Sequence, residues 1–363
     1  MIAKLMNATQ QLHNLGQSLW LDNITRDLLS NGTLEHYIAE LAITGLTSNP
    51  TIFDHAIKNS SSYDRAIRDY ASKGKSGEEL FFQLALEDLT HAADLFRPIH
   101  DRTNGLDGWV SLEVSPLLAH NTASTLEEAK QLFARANRPN LLIKIPGTKE
   151  GLPAIEEAIF AGIPINVTLL FSPEQYQATA EAYMRGIERR IDAGLNPKVG
   201  SVASLFVSRW DTAVAGKVPP QLTNKLGIAI ARRACQEYIE LLGSSRWQRA
   251  FNEGAGPQRL LFASTGTKDP KASNTLYVES LAAPLTVDTM PEATLLALAN
   301  QGKINDATAN DATETLDEFI RAGVNLGALA AQLQDDGATS FVKSWNELLR
   351  VIASKTAALQ QAA

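Results

Sequence analysis

The sequence contains a single cysteine, Cys235, in 363 residues. No intramolecular disulfide can form, and a reducing compartment, the cytoplasm, is the expected location. Cys235 lies in ARRACQEYIELL, whose helical spacing marks it as packing rather than chemistry. Histidine is also scarce. The six histidines are His13, His36, His55, His91, His100 and His120, and none is paired as HxxxH or HExxH. With no second cysteine to help, no metal centre built on imidazole or thiolate is expected. Long apolar runs are missing. No stretch approaches the ~20 apolar residues of a membrane span, and the N-terminal MIAKLMNATQQLHNLGQ has no apolar signal core. No membrane partner is expected. There is no basic excess either: 33 Lys and Arg stand against 40 Asp and Glu, a net charge of −7. That balance argues against a nucleic-acid partner, which requires a basic face. It also means that an anionic ligand must be met by a local cluster of cations.

What is present is ordinary soluble composition, 44% apolar and 20% charged, arranged in a regular alternation. Eight short segments are rich in β-branched or aliphatic residues: SLWLDNI (18–24), AITGLTSNP (42–50), GWVSLEVSP (108–116), NLLIKIPGT (140–148), PINVTLLFS (164–172), SVASLFVSR (201–209), RLLFASTGT (259–267) and LTVDTMP (285–291). Helical patterns separate most of them. STLEEAKQLFARAN (124–137) opens on a capping-box pattern, Ser124 with Glu127. Residues 152–162, 172–194 and 224–243 follow the same logic. Strands alternating with helices imply βαβ units and a parallel sheet. Eight of them suggest a closed (β/α)8 barrel. No GxGxxG follows the first strand, which weakens the dinucleotide-binding alternative. Residues 1–16 read as a leading helix and 51–107 as a helical insertion, with LEDLTHAADLFRPIHD its clearest helix. Residues 292–363 read as polar C-terminal helices broken at Gly302, Gly323 and Gly337. No linker or repeat interrupts the chain, so residues 1–363 are read as one domain.

Each strand begins apolar and ends polar. In order the polar groups are Asp22, Thr47 with Asn49, Ser111 with Glu113, Lys144, Asn166 with Thr168, Ser204 then Arg209, Ser264 then Lys268, and Asp288. Strand side chains alternate in direction, so groups of one parity face the barrel axis. Barrel active sites lie at the C-terminal mouth, and a ring of polar groups is therefore expected around Lys144. A lysine inside the apolar LLIKIP needs explanation, because an unpartnered buried charge costs several kcal/mol. A desolvated lysine amine attacks carbonyls and forms Schiff bases. Glu113, through a water held by Thr168, is the candidate proton shuttle. Asp22 is the candidate base for breaking the adjacent carbon–carbon bond. Asn49 and Asn166 are candidates to hold sugar hydroxyls. Arg209 and the ASTGTK loop, with Ser264 and Lys268, are candidates for phosphate. STGTK is too short for a Walker A loop, so ATP is set aside. A structural ion pair of Lys144 with Glu113 or Asp22 is the competing explanation.

LDN after the first strand, GLTSNPTIF, WVSLEV, LLIKIP, INVTLLFS and SLFVSRW, in this order, resemble the transaldolase family from about Asp22 to Pro291. The resemblance implies an α/β fold, a single (β/α)8 TIM barrel of the class I aldolase type with additional helices. It implies a transferase of the non-oxidative pentose phosphate pathway. Such an enzyme moves a dihydroxyacetone unit from sedoheptulose 7-phosphate or fructose 6-phosphate to glyceraldehyde 3-phosphate or erythrose 4-phosphate, with no metal or organic cofactor. On the matching positions Lys144 is the Schiff-base lysine, Asp22 the base for cleavage, and Glu113 with Thr168 the shuttle pair. Asn49, Asn166, Ser204 and Thr47 match the positions around the dihydroxyacetone unit, and Arg209 and Ser264 match phosphate contacts. Shorter members carry an arginine in an SFRN-like loop where this chain has STGTK, so the phosphate role is carried to Lys268. STGTK and the stretches Tyr277-Val278-Glu279 and Met290-Pro291 resemble a longer subgroup. Two alternatives stay open. One is a fructose 6-phosphate aldolase-type lyase, whose members place a glutamine at the shuttle position and a tyrosine near the strand-six serine, where this chain has Glu113 and Phe206. The other is a non-enzymatic sugar-phosphate-binding barrel. The sequence leaves the oligomeric state open, monomer or homodimer.

Overall fold

The computed structural model describes residues 6–304 and 312–361. Eight parallel strands close into a barrel in chain order. They are β1 (Ser18–Asp22), β2 (Ile43–Thr47), β3 (Val110–Glu113), β4 (Leu141–Pro146), β5 (Ile165–Leu170), β6 (Ser201–Phe206), β7 (Gln258–Ala263) and β8 (Val287–Met290). All eight expected strands are present, each trimmed at its polar end where the backbone leaves the ladder. β8 pairs with β1, so no strand edge is left open.

The helices run in chain order as α1 (Ala8–Leu15), α2 (Arg26–Ser30), α3 (Thr33–Glu40), α4 (Pro50–Asn59), α5 (Asp64–Ser72) and α6 (Gly77–Arg102). After β3 come α7 (Thr122–Ala136), α8 (Gly151–Phe160), α9 (Pro173–Asp192), α10 (Ser208–Val214), α11 (Leu226–Gly243), α12 (Ser245–Asn252) and α13 (Leu276–Ser280). After β8 come α14 (Glu292–Gln301), α15 (Thr313–Arg321) and α16 (Leu326–Gln361). The leading helix is α1, and residues 1–5 of that expectation lie outside the described residues, as do 305–311 and 362–363 of the C-terminal one. Residues 51–107 hold three helices. The last, α6, packs against β2 and β3, so it is the crossover between two parallel strands rather than an insertion.

Three local expectations are corrected. The start of α7 is capped not by a Ser124–Glu127 box but by Asn121, whose side chain accepts from the Ser124 N–H at 3.0 Å. A capping box does form at α9, where Ser172 and Gln175 satisfy each other's backbone N–H groups. Gly302 and Gly323 end α14 and α15, but Gly337 lies inside the 36-residue α16. A Cβ there would lie 2.9 Å from Leu169 Cδ2 and 3.3 Å from an Arg209 guanidinium nitrogen. Gly337 therefore serves close approach to the barrel rather than a break. The helix is amphipathic, not polar throughout: it buries Phe341, Trp345, Leu348 and Ile352.

Parity sorts the barrel as expected. Leu19, Leu21, Val110, Leu112, Ile143 and Ile145 pack outward into the main apolar cluster. Trp20, Leu142, Val202, Leu261 and Val287 fill the interior in a second cluster. Below them, at the N-terminal end, the Trp20 indole N–H donates to Asp107 at 2.9 Å. Ser18 bonds the same carboxylate, and Arg259 donates to Ser18 and to the Thr286 carbonyl at 2.8 and 2.7 Å. The barrel floor is thus a satisfied polar plug, and the open chemistry is left to the other end.

Trp20 is fully buried beside Gly45, where an added Cβ would sit 2.6 Å from the indole. The flanking strands cannot retreat without losing their ladder. Gly45→Ala is expected to cost about 1–3 kcal/mol by overpacking, read as a lower denaturant midpoint at unchanged slope.

Candidate active site

The C-terminal mouth holds a cavity of about 230 Å³. Lys144 stands on its floor. The β4 register places Lys144 opposite Glu113 of β3 on one side and Asn166 of β5 on the other. Lys144 is 5% exposed and Glu113 also 5%. The Lys144 Nζ lies 3.1 Å from Glu113 Oε2 and donates to the Ser48 carbonyl at 3.1 Å. That carbonyl belongs to the TSNP turn, which Ser48 anchors by donating to the Ser111 carbonyl at 2.8 Å. Neither Glu113 oxygen has an aligned hydrogen-bond donor among the described residues, and neither has the buried Thr168 hydroxyl a partner. Burial pushes the Glu113 carboxyl above its ordinary range, against the pull of Lys144, and the negative Asp22 adds a smaller push.

Asp22 closes one side of the cavity. Its Oδ1 accepts from the Thr47 hydroxyl at 2.8 Å, and Thr47 in turn lies 2.6 Å from the Thr289 hydroxyl. Thr47 has one proton to give, so Thr289 donates to Thr47 and the three groups form a directed chain. Desolvation in the crowded mouth raises the Asp22 pKa, opposed by the charge of Lys144, the Thr47 hydrogen bond and the charge of Lys268. The opposite wall is built from Ser204, whose hydroxyl donates to Asn166 Oδ1 at 2.7 Å. Asn166 also donates to Ser111 at 3.0 Å. Its amide is thus engaged at both ends and lies behind the cavity wall, orienting Ser204. Asn49 lines the cavity and caps α4, accepting from the Ile52 N–H at 3.1 Å.

The outer rim carries the phosphate candidates. Arg209, at the start of α10, lines the cavity with its guanidinium 5.1 Å from the Phe206 ring and 6.0 Å from the Phe341 ring. No carboxylate lies within ion-pair distance of it among the described residues, and burial lowers its pKa. Ser264 lines the cavity beside it with backbone φ of 57°, and its hydroxyl lies 2.9 Å from that of Ser208. Lys268 stands differently. It is exposed and does not line the cavity, although its charge reaches Asp22. The polar ring also omits Asp288. β8 turns Val287 and Thr289 inward, so Asp288 faces away from the axis. It is fully buried behind the STGTK loop, accepting from Thr265 at 3.0 Å.

Thr51, Ile52, Thr289 and Phe341 also line the cavity and are not among the sequence candidates. Thr289 takes the inward place that residue type alone assigns to its neighbour Asp288. Thr51 and Ile52 belong to the first turn of α4, which Asn49-Pro50 signals as a helix start. Phe341 comes from α16 and places its ring 5.5 Å from Lys144 Nζ. No local pattern marks it, because it arrives from 197 residues further along the chain.

A (β/α)8 barrel with a buried lysine–carboxylate pair beneath a polar C-terminal mouth carries its polar groups at the end where barrel enzymes hold their active sites. The chain belongs to the family described as transaldolase/fructose-6-phosphate aldolase, whose model matches residues 19–352. Among curated proteins it is 45% identical to a transaldolase of Thermobifida fusca, over 96% of this chain and 98% of the relative. It is 42% identical to transaldolase 2 of Streptomyces coelicolor, over 95% and 96%. It is also 42% identical to a transaldolase of Saccharopolyspora erythraea, over 94% and 96%. Among the described residues no helix is long and apolar enough to cross a membrane.

Burial raises the Asp288 carboxyl from 3.8 to about 7, with only the Thr265 hydrogen bond opposing it. Between those values the folded protein binds more protons than the unfolded chain, so stability falls as pH rises through that window. Asp288→Asn is expected to remove that fall. Urea midpoints of parent and variant, compared from about pH 5 to about pH 8, are expected to diverge, with the parent losing more.

Proposed function

We propose that the protein is a transaldolase: a transferase that carries a dihydroxyacetone unit between sugar phosphates through a Schiff base on Lys144. The observation that carries this reading is the Lys144–Glu113 pair, 3.1 Å apart, whose lysine lines a cavity that Asp22 and Arg209 also line, with Glu113 buried behind it. A structural ion pair needs no cavity above it, and binding alone needs no amine.

In this reading Lys144 passes a proton to Glu113, 3.1 Å away, and the free amine adds to the ketone carbon of fructose 6-phosphate or sedoheptulose 7-phosphate. The carbinolamine oxygen leaves as water after receiving a proton from Glu113, relayed by a water that the Thr168 hydroxyl orients. The upward push of burial on the Glu113 carboxyl favours its acid form, the form this step uses. Asp22 then removes the proton of the hydroxyl beyond the bond to be broken. That carbon–carbon bond breaks, its electron pair passes into the iminium, and an aldose phosphate departs. The three-carbon enamine stays on Lys144 until glyceraldehyde 3-phosphate or erythrose 4-phosphate arrives, and the steps then reverse. Thr47, Asn49 and Ser204 hold the dihydroxyacetone hydroxyls, and Asn166 orients Ser204. Arg209 and Ser264 meet the phosphate, with Lys268 supplying charge from outside the cavity rather than a direct contact. The reaction calls on no group outside this set, metal or organic. The pentose phosphate pathway and the cytoplasm follow from the activity. The one-domain reading is supported by α16, which returns across the mouth made by the earlier strands. The lyase alternative is disfavoured by Glu113 and Phe206, which stand where that activity uses glutamine and tyrosine.

Borohydride added with fructose 6-phosphate is expected to leave a three-carbon adduct on Lys144, located by peptide mass. Lys144→Arg should give no adduct and no turnover. An adduct elsewhere, or an active arginine variant, would remove Lys144 from the centre of the mechanism.

Arg209→Ala removes binding shared by ground and transition states. It is expected to raise KM for phosphorylated sugars by about tenfold to a hundredfold, the worth of one charge-assisted contact. A fall in kcat alone would contradict a phosphate role.

A further inference from the structure

The C-terminal helix touches the barrel mouth through one side chain whose place is unusual. Gln334 spends both amide hydrogens on strand-end carbonyls, 2.9 Å from Leu169 O and 3.1 Å from Gly147 O. These two carbonyls bracket Thr168. Leu169 is its neighbour in the chain. Gly147 donates its own N–H to the Thr168 carbonyl at 2.7 Å. The segment they hold is irregular. Pairing of β5 with β6 slips between Val167 and Leu170, and Leu169 has φ of +60°, a region that β-strand leucines avoid. Bulges of this kind beside active sites re-aim a side chain, and strain of this kind persists only where the surroundings impose it. Here the alternation breaks at Leu169, which packs with α16 in the second apolar cluster, whereas Ile165 and Val167 pack into the main one. Thr168 is the last residue of β5 in regular register, opposite Pro146 of β4.

We infer that Gln334 is a positioning residue for proton transfer: by clamping the Leu169 and Gly147 carbonyls it holds the strained bulge that fixes the Thr168 hydroxyl in the cavity that Lys144 also lines. The inference rests on the proton-relay role given to Thr168 above. It assigns α16 a part in the chemistry distinct from covering the cavity, which belongs to Phe341. The helix is fixed well enough to serve as a template. The Trp345 indole donates to Glu78 at 2.9 Å, Thr51 donates to Ser344 at 2.8 Å, and Lys355 pairs with Asp64 at 2.8 Å. Gly337, one turn after Gln334, lets the helix backbone approach Leu169 closely enough for the clamp to reach.

The test is a double-mutant cycle in the full chain. Gln334→Met keeps length and bulk but loses both donors, and Gln334→Ala repeats the measurement should the thioether pack differently. Each is made alone and with Thr168→Ala, and kcat and KM are measured with fructose 6-phosphate and erythrose 4-phosphate. Misplacing a reacting group by about 1 Å costs about a hundredfold, and a loss of this order in kcat with little change in KM is expected for Gln334→Met. Because Gln334 acts through Thr168, adding Gln334→Met to Thr168→Ala should cost almost nothing further. Losses that multiply in the double variant, or a raised KM at unchanged kcat, would overturn the inference and leave α16 as a cover alone. If Thr168→Ala by itself turns over at the parent rate, the relay role of Thr168 falls and the inference with it. The Lys144 adduct would be untouched by that result, so the two failures are distinguishable.

Discussion

The structure turns on the burial of one ammonium group against one carboxylate. Taking a charge out of water is costly, and a lone lysine inside a strand would be expelled or discharged. Here the cost is offset by Glu113 on the neighbouring strand and by the Ser48 carbonyl from a third. This arrangement needs three consecutive parallel strands ending at one level, with their inward residues in register. The closed barrel supplies that level, and helices wrapped around the outside leave its C-terminal end open. The apolar interior of Trp20, Leu142, Val202, Leu261 and Val287 lies beneath the pair, which keeps water from reaching it from below.

Around this pair, polar groups are placed in tiers. The inner tier, Asn166 and Ser111, is hydrogen-bonded between neighbouring strands and holds positions, with Glu113 beside it paired to Lys144. The next, Asp22, Thr47, Thr168 and Ser204, faces the cavity. The outer tier, Arg209 and Ser264, comes from the first residues after the late strands β6 and β7, Arg209 in the first turn of α10 and Ser264 in the loop, where the backbone leaves the sheet. α16 completes the enclosure by laying Phe341 beside both Lys144 and Arg209. An aromatic face can approach a cation without neutralising it, so the cavity is closed without adding a competing carboxylate at the amine.

The parallel barrel was legible in the sequence because its signals are local. Apolar runs of strand length, helical spacing between them and polar residues at strand ends are all read within a dozen residues. Lys144, Glu113, Asp22 and Thr168 were legible for the same reason: polar residues in otherwise buried strands stand out, and parity tells which way they point. Asp288 shows where that reading stops. It has the right residue type near the end of a strand, but the register of β8 turns its neighbour Thr289 inward instead, and register is set by pairing with β1 and β7. Lys268 stops at a similar limit, because a loop side chain five residues past β7 has no parity to follow. Gly337 reads as a break because glycine is a poor helix former in isolation; the close approach to Leu169 that explains it is a tertiary contact.

By itself, then, the sequence determined which segments become strands and helices, which of their residues must be buried, and which chemistry the buried polar residues are suited to. These depend on side-chain periodicity and on the cost of burying charge, both properties of short stretches of chain. Only the tertiary structure decided that Phe341 and Gln334 reach the mouth, that Asn166 serves as a strut behind Ser204, and that Asp288 faces away from the axis. Each of these depends on contacts between residues far apart in the chain, and such contacts exist only once the barrel has closed and the last helix has crossed it.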